Sequence, residues 1–265
     1  MEASHAALLK IRSAQRLPTL PADAYVSVES MAACVASGVA DGVSVHSDGR
    51  VFVSTTSHFP GCTPAMLRWW FAFGCKGDAE YVRWHPEDHV SGHFSPSWYD
   101  DKRPFLPEGE THYVVEALGA DAGGRRQTLR IQFKPPGDYG LDASLLKANG
   151  AEVALCARIG VFDALAGGWL DVGHFVHFTQ PAVGGFELRS LFWMGDISIP
   201  ADNVLRFVPG AHTLLNTRLA RSAAARLIEG RSLFDLGVAN FRHATEEFAI
   251  LATFLAEAHR AAQGE

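Results

Sequence analysis

The C-terminal stretch of the chain sets the strongest constraint on its fold. Residues 209–262 follow a helical pattern, with a break expected at Gly230 or Gly237. On a helical wheel at about 100° per residue, Leu236, Asn240, Phe241, Ala244, Ile250, Leu251, Phe254 and Leu255 form one broad apolar arc. Arg242, Thr245, Glu246, Thr253, Glu257 and Arg260 fall on the opposite side. An arc that wide must be covered by other parts of the chain. His243 and Glu247 lie inside it, at a spacing that puts both on one helix face. An imidazole and a carboxylate turned into apolar surroundings need a strong compensating partner. A divalent cation is the simplest candidate, since both groups are good ligands and one helix presents them together.

The middle of the chain supplies the cover. Residues 50–56 read as a strand, and Thr63-Pro64 opens a helix with a cap-plus-proline signature that Gly74 ends. Strand-like segments follow at 79–85, 112–118, 127–133, 151–159, 170–179 and 185–194. Short connections such as Gly123-Gly124 and Gly184-Gly185 indicate antiparallel neighbours. One strand, a helix, about six strands and a long helix make an α+β chain, in which a curved antiparallel sheet wraps the C-terminal helix and leaves a cavity between them. Residues 1–48 are broken by Pro18 and Pro21 and hold a short helix within 27–40, capped at Ser27 or Ser30. They read as a small N-terminal region, and 49–265 as the main domain.

Composition excludes several classes. The net charge is −6 and no basic run is present, which argues against nucleic acid as a partner. No apolar run approaches the roughly 18 residues needed to cross a bilayer, and the N-terminus lacks the pattern of a secretory signal. Cys34, Cys62, Cys75 and Cys156 form no C-x-x-C pair, so reduced thiols in a cytoplasmic protein are expected. Aromatic clusters such as Trp69-Trp70-Phe71 and Phe192-Trp193 pack a core or line a cavity for an apolar or aromatic small molecule.

Two ligands on a helix need partners from elsewhere. The chain has twelve histidines, so chance clusters are expected and each must be weighed. The densest local constellation runs from Arg83 to His89. His85 falls at an expected strand end, just before Pro86, and Glu87, Asp88 and His89 read as a solvated turn. Glu116 shares a strand face with His112, Val114 and Leu118, and is either solvent-facing or a ligand. His85, Glu116, His243 and Glu247 make a set of two histidines and two carboxylates that suits zinc, with iron or manganese as lesser options.

These residues carry a family resemblance. Trp84-His85-Pro86, Val115-Glu116-Ala117-Leu118-Gly119, the late strand around Gly185-Phe186-Glu187-Leu188-Arg189, and His243 with Glu247 occur in order across residues 50–255. In this the chain resembles the zinc-dependent carbon–carbon hydrolases of acylated phloroglucinols, the 2,4-diacetylphloroglucinol and phloretin hydrolase family. The resemblance implies a helix-grip fold related to birch-pollen allergens, and His85, Glu116, His243 and Glu247 as zinc ligands. It also implies a small aromatic ketone as substrate and a homodimer built with help from the N-terminal region. Two departures fall on substrate contacts. The family has an amide three residues after the first histidine, where this chain has Asp88, and a late tyrosine, whereas this chain has none after Tyr139. The reaction so implied needs a proton carrier. Asp88 is the first candidate, and His174 and His177 come next, on opposite faces of one strand. Tyr81, ahead of Tyr99 and Tyr113, and Arg189 are the candidate substrate contacts.

Overall fold

The computed structural model describes residues 2–14, 18–21, 24–27, 30–75, 77–94, 109–163 and 167–264. Two helices come first, α1 (Glu2–Ala14) and α2 (Met31–Ser37), then strands β1 (Gly42–Val45) and β2 (Val51–Pro60). Helix α3 (Pro64–Trp69) begins where the Thr63 side chain accepts from the Met66 amide, and it widens into a π-turn over Trp70–Gly74. Helix α4 (Asp78–Trp84) is followed by β3 (His89–Phe94), β4 (Thr111–Glu116) and β5 (Gln127–Lys134). Then come α5 (Ala143–Ala148), β6 (Ala154–Asp163), β7 (Gly168–Ala182) and β8 (Gly185–Ser198). Two short helices, α6 (Ala211–Leu215) and α7 (Arg218–Ala224), lead to the long α8 (Leu233–Gln263).

The strands form one sheet in the order β1-β2-β8-β7-β6-β5-β4-β3, antiparallel throughout. Bulges in β3, β7 and β8 help it curve. Helix α8 lies against one face, and Phe241, Ala244, Phe248, Leu251 and Leu255 bury their side chains in the core between them. This is the helix-grip arrangement. The other face carries a second core, where Met31 and Val35 of α2 meet Phe52, Phe178 and Trp193 beside α5.

The helix break falls at Gly230, whose φ of 71° suits a residue without Cβ. Gly237 stays within α8 for a different reason. A Cβ there would lie 2.6 Å from Val43 Cγ1 and 2.7 Å from Val51 Cγ1, so its absence lets the helix sit down on β1 and β2.

Three expectations change. Residues 79–85, expected as a strand, are helix α4, which buries Tyr81 and Trp84 one turn apart. His85 therefore caps a helix instead of ending a strand. Glu246, expected on the solvent side, is completely buried, because α1 covers that side of α8 and Arg12 pairs with it. Strand β1 lies within the first 48 residues, yet it pairs with β2 as part of the main sheet.

Candidate metal centre and its cavity

Tyr81 on α4, His89 at the start of β3, Glu116 at the end of β4, and His243 and Glu247 on α8 converge inside the grip. All five are buried. His89 Nε2 lies 3.4 Å from His243 Nε2, and each of these atoms lies 3.7 Å from Glu247 Oε2. Glu116 Oε2 is 4.0 Å from His243 Nε2. Metal–donor bonds of about 2.0–2.1 Å give a tetrahedron with edges of about 3.3–3.4 Å. The donor atoms of His89, His243 and Glu247 thus stand close to the spacing that one small divalent cation requires, with Glu116 beside His243.

The tautomers support the same conclusion. His89 Nδ1 is 2.8 Å from the Tyr81 carbonyl oxygen, an obligate acceptor, so Nδ1 carries the proton. His243 Nδ1 is 3.0 Å from Asp88 Oδ2, a carboxylate oxygen, so it too carries its proton there. His243 Nε2 then faces His89 Nε2 and two carboxylates, and without a cation it holds a second proton there. A divalent cation among these donors would take the place of that proton. Contacts that orient a histidine through its other nitrogen are the usual support of a bound metal.

Charge tells the same story. Burial opposes the His243 cation, but Glu247, Asp88 and Glu116 outweigh it and hold the imidazole above its ordinary pKa. Burial, and then the nearby Glu116 and Asp88, push Glu247 up against the pull of His243. Burial first, and then the positive charge of His243, push His89 well below its ordinary value. The cluster holds more negative charge than its own side chains neutralise.

The residues expected from sequence fall into three groups. Glu116, His243 and Glu247 come together as described, and Tyr81 joins them. Its hydroxyl donates to Glu116 Oε1 and its ring stacks on His89 at 3.9 Å. The Tyr81 hydroxyl therefore orients a carboxylate.

His85 and Asp88 stand behind this set. His85 is fully buried, and its Nδ1 accepts the Asp88 amide at 3.1 Å, so Nε2 carries the proton and donates to Glu246 at 3.1 Å. Its Nε2 also lies 3.9 Å from Asp88 Oδ2 and its ring stacks on His243 at 4.9 Å, and His85, Asp88 and His243 form a second group with donor atoms close enough to share a cation. Asp88 does not line the cavity. It accepts from the Gly119 and Ala120 amides at 2.9 and 3.0 Å and from His243 Nδ1. Burial raises its pKa, but His243, His85 and those amides hold it well below the usual range. An Asp88 carboxylate so committed orients His243.

The third group sits on β7 and β8. His177 faces the cavity, with Nδ1 2.9 Å from Ser190 Oγ and its ring stacked on Phe175 at 4.3 Å. Burial pushes its pKa down to about 3, so the imidazole is neutral near pH 7. His174 is on the other face, held by Asp196 at 2.8 Å and the Tyr139 hydroxyl at 3.0 Å. Arg189 donates to the Val39 carbonyl and lies 3.9 Å from Asp41, away from the cavity. Tyr113 is substantially exposed, and Tyr99 lies outside the described residues.

The cavity has a volume of about 230 Å³ and is mostly apolar, with Phe71, Trp84, Phe133, Phe175 and Phe192 among its walls. A dry cavity of about 150 Å³ accepts benzene, so this one has room for a substituted aromatic ring. Sequence reasoning missed His89. It stands four residues after His85 in the histidine-rich stretch, and a helical reading of 78–84 was the available signal for it.

A family model described as the DAPG hydrolase PhiG domain matches residues 29–260. The chain is 32% identical to a phloretin hydrolase of Eubacterium ramulus over 173 residues, which are 63% of this chain and 59% of that protein. It is 28% identical to a 2,4-diacetylphloroglucinol hydrolase of a Pseudomonas species, over 54% of this chain and 48% of that one. The aligned region thus spans about half to three fifths of the length of these curated relatives. Among solved structures it is similar to protein Ms6760 from Mycobacterium smegmatis, with 12% identity and a TM-score of 0.41 over 81% of this chain and 96% of that one. Ara h 8.0201 aligns at 13% identity with a TM-score of 0.33, over 63% and 96% respectively.

Proposed function

The chain belongs to the DAPG hydrolase family, and from that premise we propose that it is a zinc-dependent hydrolase of the carbon–carbon bond between an acyl group and a phenolic ring. The observation that carries the reading is the buried pair of facing imidazole nitrogens, 3.4 Å apart and beside Glu116 and Glu247, at the edge of an aromatic cavity. His89, Glu116, His243 and Glu247 would hold the cation. Their mixed nitrogen and oxygen donors fit zinc, and fit iron or manganese less well. A cation of this kind supplies Lewis acidity at the acyl carbonyl and lowers the pKa of a bound water.

The rest follows from the side chains. The reaction adds the hydroxyl of water to the acyl carbon, breaks its bond to the ring, and delivers the remaining proton to the ring carbon. Water's proton must therefore cross the cavity. His177 is the group suited to carry it, because it faces the cavity and is neutral, and a neutral imidazole both accepts and donates. Phe71 and Phe175 flank the His177 ring and help keep bulk water from this path. Tyr81 and Asp88 keep Glu116 and His243 in place.

Metal analysis of alanine variants tests this assignment. His89→Ala, His243→Ala and Glu247→Ala should each lose stoichiometric metal and the release of carboxylic acid from acylphloroglucinols. His85→Ala should keep its metal. Stoichiometric metal in purified His89→Ala, or no cleavage of any acylphenol by metal-loaded wild type, would sink the proposal.

A further inference from the structure

Asn240 lies on α8, three residues before His243 and seven before Glu247, so all three share one face and all three line the cavity. A rise of 1.5 Å per residue sets Asn240 about 4.5 Å along the helix axis from His243. Its side chain is only 8% exposed, and its Oδ1 is sealed from solvent without a hydrogen-bond partner in the protein. Leu236 and Leu233 stand on the same wall. An acceptor buried without a donor is destabilising, and a leucine of similar shape would fill the site without that cost. Several other polar groups of the cavity have partners, while the Trp84 indole, a donor, has none among the described residues. Tyr81 donates to Glu116, His177 bonds to Ser190, and Arg221 donates to the Gly195 and Asp48 carbonyls.

We infer that Asn240 is a specificity-determining residue that accepts a hydrogen bond from a ring hydroxyl of the substrate. The inference rests on the function proposed above. The missing partner is a donor, so a hydroxyl satisfies it and a ketone or ether oxygen does not. With the acyl carbonyl at the His243 and Glu247 end of the cavity, the ring extends along α8, and the hydroxyl opposite the acyl group reaches Asn240. The chain therefore selects phenyl ketones that carry this hydroxyl over analogues that lack it.

The experiment compares a trihydroxyphenyl ketone with its analogue lacking the hydroxyl opposite the acyl group, using metal-loaded wild type, Asn240→Leu and Asn240→Ala. Wild type should prefer the trihydroxy compound, and both variants should lower the ratio of the two kcat/KM values about tenfold, the worth of one hydrogen bond. Metal content and melting temperature report whether each variant is intact, and the alanine variant serves if the leucine variant fails to fold. An unchanged ratio in a folded, metal-loaded variant overturns the inference. If wild type cleaves neither ketone, the proposed function has failed. The same proteins are then titrated with phloroglucinol and resorcinol, and an equal relative affinity in wild type and variants overturns the role of Asn240 independently.

Discussion

Replacing Arg12 with methionine should cost the protein about 3 kcal/mol of stability. The Arg12 guanidinium makes two bonds to one carboxylate, Nε to Glu246 Oε1 at 2.8 Å and Nη2 to Oε2 at 3.0 Å. A third nitrogen reaches Glu87 at 2.7 Å. Glu246 is completely buried and Arg12 keeps 18% side-chain exposure. Removing one member of a buried pair costs about 3–5 kcal/mol, chiefly because the other charge is left without compensation. Here His85 still donates to Glu246, and water can follow the exposed edge that Arg12 vacates, so the lower end applies. For a chain of this size, about 3 kcal/mol lowers the melting temperature by roughly 6–12 °C. The assay is a double-mutant cycle followed by thermal and urea denaturation, with Arg12→Met, Glu246→Gln and the pair. Glu246→Gln removes the orphaned charge, so the double variant should recover most of the loss and give a coupling energy of about 2–3 kcal/mol. A cost below about 1 kcal/mol for Arg12→Met, or the same cost with and without Glu246→Gln, would refute the view that α1 is clamped to the site by a buried charge.

Two further outcomes are expected. Gly237→Ala should destabilise the protein by about 1 kcal/mol in urea denaturation, although alanine is the better helix former, because the methyl group would strike stiff Val43 and Val51 side chains at 2.6 and 2.7 Å and overpacking outweighs the gain in propensity. Metal affinity, measured by competition with a chelator, should rise from pH 6 to pH 9. Without a cation His243 and Glu247 hold protons more tightly than usual, at about 10 and about 8, and a cation must displace those protons to bind; affinity that is flat with pH would contradict this.

The parts of the molecule that were legible in the sequence are those governed by one strong periodicity. The apolar arc of α8 and strands β2 and β4 to β8 carry patterns strong enough for burial to dominate every other preference, whereas β1 and β3 do not, and the inward aim of His243 and Glu247 follows from the same wheel. Residues 78–84 fail that condition. Tyr81, Val82 and Trp84 favour strands, and seven residues are too few for a period to overrule them. The error has a geometric consequence, because a residue advances about 1.5 Å in a helix and about 3.3 Å in a strand. Once α4 replaces a strand, the chain from Tyr81 to His89 doubles back. His89 then meets the Tyr81 carbonyl and turns its Nε2 inward, while His85 is left at a helix cap behind the site. Glu246 fails for a different reason. A wheel separates the polar face of a helix from its apolar face, but it does not say whether another element brings a complementary charge to the polar one. Arg12 does so from 234 residues away, in a helix that has no strong pattern of its own. On the polar face of α8 Glu246 is therefore buried as well, and Arg12, Glu246 and His85 form a hydrogen-bonded chain leading toward Asp88 and His243. The chain of contacts places the first helix three hydrogen-bonded residues from the imidazole of His243, through Glu246, His85 and Asp88.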